Sequence, residues 1–297
     1  VDDTAGRDSA LDGSSVCGHE LAIGRTQHQI GTAFGHVLPV RKGPMVGQVE
    51  GVLRHAVKGF NKSSPGGVSL GMKTYFVVGH RSGIGRALTE LLLNRGDAVV
   101  GLSRSESGLA HPNLTEFQDD ILEWDGSGLP EHLDGFVYAP GSINLKPFKG
   151  YKPEEFRSDF EINALGAALA LQKAEKALRA AQGAALLFST VAVGQGMSYH
   201  ASIAMAKGAV EGLVRSLAAE WAPAVRVNAV APSLTDTPLA SKLLGNEARA
   251  AAAAERHPLK RVGNSGELAH AGLALLDNPW ISGQVLGVDG GMSSLRP

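Results

Sequence analysis

The chain is poor in several things at once. Its 297 residues include one cysteine, Cys17, which excludes an internal disulfide or a cysteine metal cluster and suits a reducing compartment. An excess of either charge is also missing: 28 Lys and Arg stand against 29 Asp and Glu, so there is no basic field of the kind that holds a nucleic-acid backbone. No apolar run approaches the roughly 18–20 residues that span a bilayer. The opening Val1-Asp2-Asp3-Thr4 lacks a basic region followed by an apolar stretch, so no signal peptide is expected and a cytoplasmic setting is. These absences predict a chain without nucleic-acid, membrane or metal partners. The 43% hydrophobic content is enough for a full core, as one large domain or one domain with an extension.

Residues 1–71 differ from the rest. They are rich in Gly and His, carry few apolar residues at helical or strand spacing, and end in Asn61-Lys62-Ser63-Ser64-Pro65-Gly66-Gly67. They read as a poorly structured extension, with Met72, just before the first convincing strand, as an alternative natural start. Residues 72–297 alternate strand and helix patterns. Apolar runs at Lys73–Val78, Ala98–Leu102, Gly135–Ala139, Ala184–Phe188, Val225–Val230 and Gln284–Val288 are separated by helical patterns such as Ile84–Leu93, Glu154–Ala181 and Ser202–Glu220. This alternation predicts an α/β fold, a doubly wound parallel sheet of Rossmann type with helices on both faces.

The turn after the first strand reads Gly79-His80-Arg81-Ser82-Gly83-Ile84-Gly85. Its glycines let backbone approach a pyrophosphate, and the helix that follows presents free amides and a positive dipole end. Alone, the pattern also fits an ordinary strand-to-helix turn. Further segments, in order and at the right spacing from residue 73 to 291, resemble the short-chain dehydrogenase/reductase family. Asp120-Ile121 resembles the acidic pair that meets the adenine. Tyr138-Ala139-Pro140-Gly141 stands in the place of the family's NNAG segment, with both asparagines absent. Asn163 matches the helix asparagine that holds a proton-relay water, Ser189-Thr190 the paired serines, and Lys207 the active-site lysine. Arg226-Val227-Asn228-Ala229-Val230-Ala231-Pro232, with Thr237 beyond it, resembles the PG segment beside the nicotinamide, with Ser233 replacing glycine. The C-terminal Ile281–Gly291 is close to the family's last strand. The resemblance implies a nicotinamide cofactor held at Gly79, Arg81, Ser82, Gly83, Ile84, Gly85, Ala139, Gly141 and Lys207, a small-molecule substrate, and a homodimer or homotetramer.

Charge argues the cofactor's identity. The second strand ends Gly101-Leu102-Ser103-Arg104 with no acid for the ribose hydroxyls, and Ser103, Arg104 and Arg81 suit a 2′-phosphate, so NADP(H) is expected. One departure stands out: the family's tyrosine, four residues before the lysine, falls on Ile203, which cannot transfer a proton. Tyr199 and His200, eight and seven residues before Lys207, are substitute donors if the helix has already begun there. Two functions follow. The first is an NADP(H)-dependent oxidoreductase acting on a carbonyl, alcohol or activated double bond with a non-standard proton donor, catalysis resting on Asn163, Thr190 and Lys207. The alternative is a catalytically silent NADP(H)-binding sensor or interaction protein. The Leu and Ala content from Leu239 to Arg261 points to a mainly apolar substrate surface.

Overall fold

The computed structural model describes residues 71–296, so the expected extension, Cys17 included, lies outside the described residues apart from Gly71. The first strand, β1 (Thr74–Val78), is buried from Tyr75 onward and leads into helix α1 (Gly83–Asn94). Strands β2 (Ala98–Ser103), β3 (Leu114–Gln118) and β4 (Gly135–Tyr138) follow. Helix α2 (Pro153–Phe160) runs through a π turn (Glu161–Leu165) into α3 (Gly166–Ala181), and β5 (Ala184–Phe188) comes next. A short α4 (Val191–Gln195) precedes the long α5 (Ala201–Trp221) and β6 (Arg226–Pro232). Beyond it lie β7 (Thr235–Asp236), α6 (Ser241–Leu244), α7 (Glu247–Glu255), β8 (Gly263–Asn264), α8 (Ser265–Asp277) and β9 (Val285–Val288).

Seven strands form one parallel sheet in the order β3-β2-β1-β4-β5-β6-β9, the doubly wound arrangement expected; β7 and β8 pair separately. Central strands read as continuous apolar runs because both of their faces are covered. Strand side chains alternate between those faces. On one, Phe76, Phe136 and Leu187 pack with Leu171, Leu178, Val214 and Trp221 of α3 and α5. On the other, Tyr75, Val77, Val137 and Leu186 pack with Leu88, Leu92, Leu268 and Leu275 of α1 and α8. Fully burying one such leucine contributes about 1.5–3 kcal/mol. The sheet order reverses between β1 and β4, and the crevice beyond the carboxyl ends of these strands is where an open α/β sheet binds its ligand. Among the described residues no helix is long and apolar enough to cross a membrane.

Two differences from the sequence reading matter. Strand β3 reads LTEFQ, half-buried with exposed Thr115 and Gln118 at the sheet edge, so it lacks the apolar run that marks the others. The helical pattern Glu154–Ala181 is not one helix: the π turn inserts itself in the middle. A further constraint lies under α8, where a Cβ on Gly135 would stand 2.4 Å from the Tyr75 ring. Gly135→Ala is expected to destabilise the fold by about 1–3 kcal/mol through overpacking, read as a lowered denaturation midpoint with unchanged slope in a urea titration.

Candidate active site

Two clefts open along the carboxyl ends of the strands. The first, of about 470 Å³, is walled by Gly79, Arg81, Ser82 and Gly83 from the glycine turn, Ser103 and Arg104 from the end of β2, and Asp120 and Ile121 after β3. The second, of about 620 Å³, is walled by Asn163, Thr190, Tyr199, His200, Ile203 and Lys207, with Pro232 from the end of β6. Both share Ile84, Ala139, Gly141 and Thr237, so the two run together at the end of β4. The structure thus brings nearly all the sequence-nominated residues to one groove.

The glycine turn fits a dinucleotide's phosphates on backbone grounds. Gly79 (φ +81°) and Gly83 (φ +58°) occupy the left-handed region, where a side chain would be strained. A Cβ on Gly85 would stand 2.3 Å from the Gly79 carbonyl oxygen. Gly85 is therefore a packing residue beneath the turn and lines neither cleft. Ser82 caps α1 without a side-chain hydrogen bond, leaving the first-turn amides to the cleft. Arg81 and Arg104 are exposed and make no ion pair among the described residues. His80 points the other way: it is fully buried, with Nε2 2.5 Å from Glu116 Oε1. Burial alone would raise the Glu116 carboxyl, but hydrogen bonds from Ser107 and His80 outweigh it and hold it below its ordinary value.

Lys207 is buried in α5 and donates from Nζ to the Phe188 carbonyl at 2.8 Å. Burial pushes its ammonium down to about 8. Asn163 sits within the π turn; its Nδ2 donates to Ser142 Oγ and to the Asp159 carbonyl, both at 2.8 Å. Its buried Oδ1 has no partner among the described residues and faces Gly141, where a Cβ would stand 3.2 Å from it and 3.7 Å from Lys207 Nζ. An orphaned amide oxygen beside a lysine fits a site completed by a bound group. Tyr138, where the resemblance led one to expect asparagine, donates its hydroxyl to the Ile162 carbonyl at 2.6 Å and so satisfies a group that the π turn frees. Thr190 caps α4, its Oγ1 accepting from Ala192 N. Its neighbour Ser189 donates to Glu211 Oε1 at 2.8 Å.

Helix α5 begins at Ala201, so Tyr199 and His200 precede it and the helical angles used to aim them do not apply. They reach the cleft by way of the loop instead. Tyr199 has φ +69° and is 59% exposed. The His200 Nδ1 lies 2.7 Å from the Ser198 carbonyl. Two groups escaped the sequence reading. Asp159, fully buried, takes hydrogen bonds from Ser142, Asn144 and Ser202. Buried His257 meets Ser233 Oγ through Nε2 at 2.8 Å. The only sequence signal for Asp159 is its place four residues before Asn163, on the same helical face.

Comparison with known proteins agrees with the fold. The family model described as enoyl-(acyl carrier protein) reductase matches residues 127–293. A tropinone reductase homologue of Arabidopsis thaliana is 34% identical over 243 residues, covering 73% of this chain and 91% of the relative. The ligand-free aldohexose dehydrogenase of Thermoplasma acidophilum superposes with a TM-score of 0.70 at 27% identity, over 76% of this chain and 96% of that one. An ElxO structure with NADP bound gives a TM-score of 0.68 at 25% identity, over 75% of this chain and 100% of that one.

The buried Lys207 makes stability depend on pH. Its folded value of about 8 lies below the ordinary 10.5, so between these values the unfolded chain binds more protons and stability rises with pH. The penalty is in full force below pH 8 and amounts to on the order of 3 kcal/mol at most. Cofactor-free Lys207→Met protein should be more stable than the parent at pH 7, with the gap closing toward pH 10.5, as chemical denaturation across that range would show.

Proposed function

The chain belongs to the short-chain dehydrogenase/reductase family, and on that premise we propose that it is an NADP(H)-dependent oxidoreductase acting on a carbonyl, alcohol or activated double bond, with a proton donor other than the residue at 203. The observation that carries the reading is the meeting of Lys207, Asn163 and Thr190 in one cavity that opens into the glycine-turn cleft. Binding a dinucleotide alone requires neither Asn163 nor Thr190. The nicotinamide ring, when bound, supplies or accepts a hydride. Lys207 would hold the ribose beside it, and Thr190 and Asn163 would orient the substrate oxygen and its proton path. Arg81, Ser103 and Arg104 would hold the 2′-phosphate, and Asp120 and Ile121 the adenine. Tyr199 and His200 line the cavity and are the side-chain donors that spacing from Lys207 puts forward. Residues 72–297 form the cofactor-binding unit in this reading, and residues 1–71 take no part in it. A homodimer or homotetramer, a mainly apolar small-molecule substrate and a cytoplasmic setting complete the reading.

A second reading, a silent NADP(H)-binding sensor, is favoured by one observation: Ile203 is buried at 5% exposure where the family places its tyrosine. NADPH oxidation measured over a panel of carbonyls and enones separates the two, since a sensor binds NADPH and turns nothing over.

Cofactor choice should follow charge. Charge-assisted contacts contribute about 1.5–3 kcal/mol each, so NADPH should bind at least about tenfold more tightly than NADH. Fluorescence titration checks this, and Arg104→Ala should erode the preference; equal affinities in the parent would refute it. On the same panel, Ile203→Tyr should raise carbonyl reduction, because general acid catalysis is worth about 10²- to 10⁴-fold. If the parent is inactive and Ile203→Tyr active, the sensor reading stands. If Tyr199→Phe or His200→Ala slows an active parent by about tenfold or more at unchanged NADPH affinity, that residue is the donor.

A further inference from the structure

Asp159 is a buried titratable group that nothing above uses. It is wholly inaccessible, yet it forms no ion pair among the described residues. A bare carboxylate in such a place costs several kcal/mol. Here neutral donors offset that cost: Ser142 Oγ at 2.5 Å and Asn144 Nδ2 at 3.1 Å on Oδ1, and Ser202 Oγ at 2.6 Å on Oδ2. These three donors come from the loop after β4 and from α5, so the carboxylate ties both to α2.

Where it leads is informative. Ser142 lines the same cavity as Lys207 and Thr190, and its oxygen also accepts from Asn163 Nδ2 at 2.8 Å. Ser202 adjoins Ile203, the position that lacks a dissociable proton. A hydroxyl facing the substrate cavity thus has a carboxylate behind it, immediately beside that position. Tyr199, by contrast, is mostly exposed at the cavity wall, and no titratable group stands behind Thr190, whose oxygen serves the α4 cap.

We infer that Ser142, backed by Asp159, exchanges the proton with the substrate oxygen in the reaction proposed above. In the direction of alcohol oxidation, the alcohol O–H bond breaks and its proton passes to Ser142 Oγ, while the serine proton passes to Asp159 Oδ1. The electron pair of that O–H bond becomes the C=O π bond. The pair of the carbinol C–H bond leaves as hydride to the oxidised nicotinamide. Asp159 then returns its proton to solvent through Ser142 after the product leaves. Reduction runs the same steps backward. Ser142 is the catalytic residue, since it meets the substrate, and Asp159 acts through it. The inference rests on the oxidoreductase reading.

Three variants separate this from a purely structural role. Ser142→Ala and Asp159→Asn should each lower kcat by about 10²-fold or more, with KM and NADPH affinity within about threefold of the parent. Ser202→Ala removes an equivalent bond from Asp159 without touching the cavity wall and should cost less than about fivefold. In single-turnover infrared difference spectra of alcohol oxidation, the parent should show a protonated-carboxyl band that Asp159→Asn abolishes. Should Asp159→Asn fail to fold, Ser142→Ala against Ser202→Ala decides. Equal losses in those two variants mean that Asp159 is only an anchor, and the inference fails. It fails as well if Ser142→Ala keeps the parent kcat, or if His257→Ala, on the second hydroxyl–imidazole pair, is the variant that stops turnover. A parent that binds NADPH but turns over nothing on the panel overturns the oxidoreductase reading and this one with it. A parent that turns over while both Asp159→Asn and Ser142→Ala match it overturns this one alone.

Discussion

Backbone meets backbone at the end of β1, and the groove depends on how closely. A Cβ on Gly79 would stand 3.1 Å from the Pro140 nitrogen, and one on Gly85 2.3 Å from the Gly79 carbonyl oxygen. With no side chains between them, the turn, the start of α1 and the end of β4 close onto one another at the reversal of strand order. That closure aims the first amides of α1 along the groove and sets Gly141 between Asn163 and Lys207. Any side chain at either glycine would pry apart the surface on which both clefts share a wall.

The central strands were legible because burial on both faces forces a continuous apolar run, as at Tyr75–Val78 and Ala184–Phe188. Strand β3 was not, since an edge strand needs only one covered face and LTEFQ keeps polar residues on the other. The positions of Lys207, Asn163 and Thr190 could be nominated from spacing along the chain. The surroundings of Asn163 could not: the π turn leaves the apolar periodicity of Glu154–Ala181 looking like one uninterrupted helix. Asp159 was invisible for a related reason. A lone acid in an acid-rich segment, Glu154-Glu155-Phe156-Arg157-Ser158-Asp159, reads as a solvated helix face, and only the fold reveals that it points inward to three donors.

Electrostatically the second cavity is one-sided. Lys207 and Arg256 line it, with His200 and His257, and no carboxylate is among its lining residues. Asp159 stands behind the wall, reached through Ser142. Such a cavity favours an oxygen that carries developing negative charge and disfavours a cationic substrate. The family's phenol would have been one more polar group in it. Ile203 leaves that stretch of wall apolar, in keeping with a ligand surface to which Leu145, Val191, Leu239 and Leu243 also contribute.

The π turn also bears on how the gene can vary in length. Glu161–Leu165 carries a wider turn than the α-helices on either side, and the Tyr138 hydroxyl closes on its freed Ile162 carbonyl. Deleting one residue there would restore regular α-helix but rotate one side of the helix by about 100° relative to the other. Either Asp159 and Asn163 would leave the cleft, or Ala167, Ala170 and Ala174 would leave the sheet on which they are buried. The loops beyond β6 are free to grow and shrink without such a penalty. Within this helix, a frame-preserving deletion of a single codon forces a choice between chemistry and core.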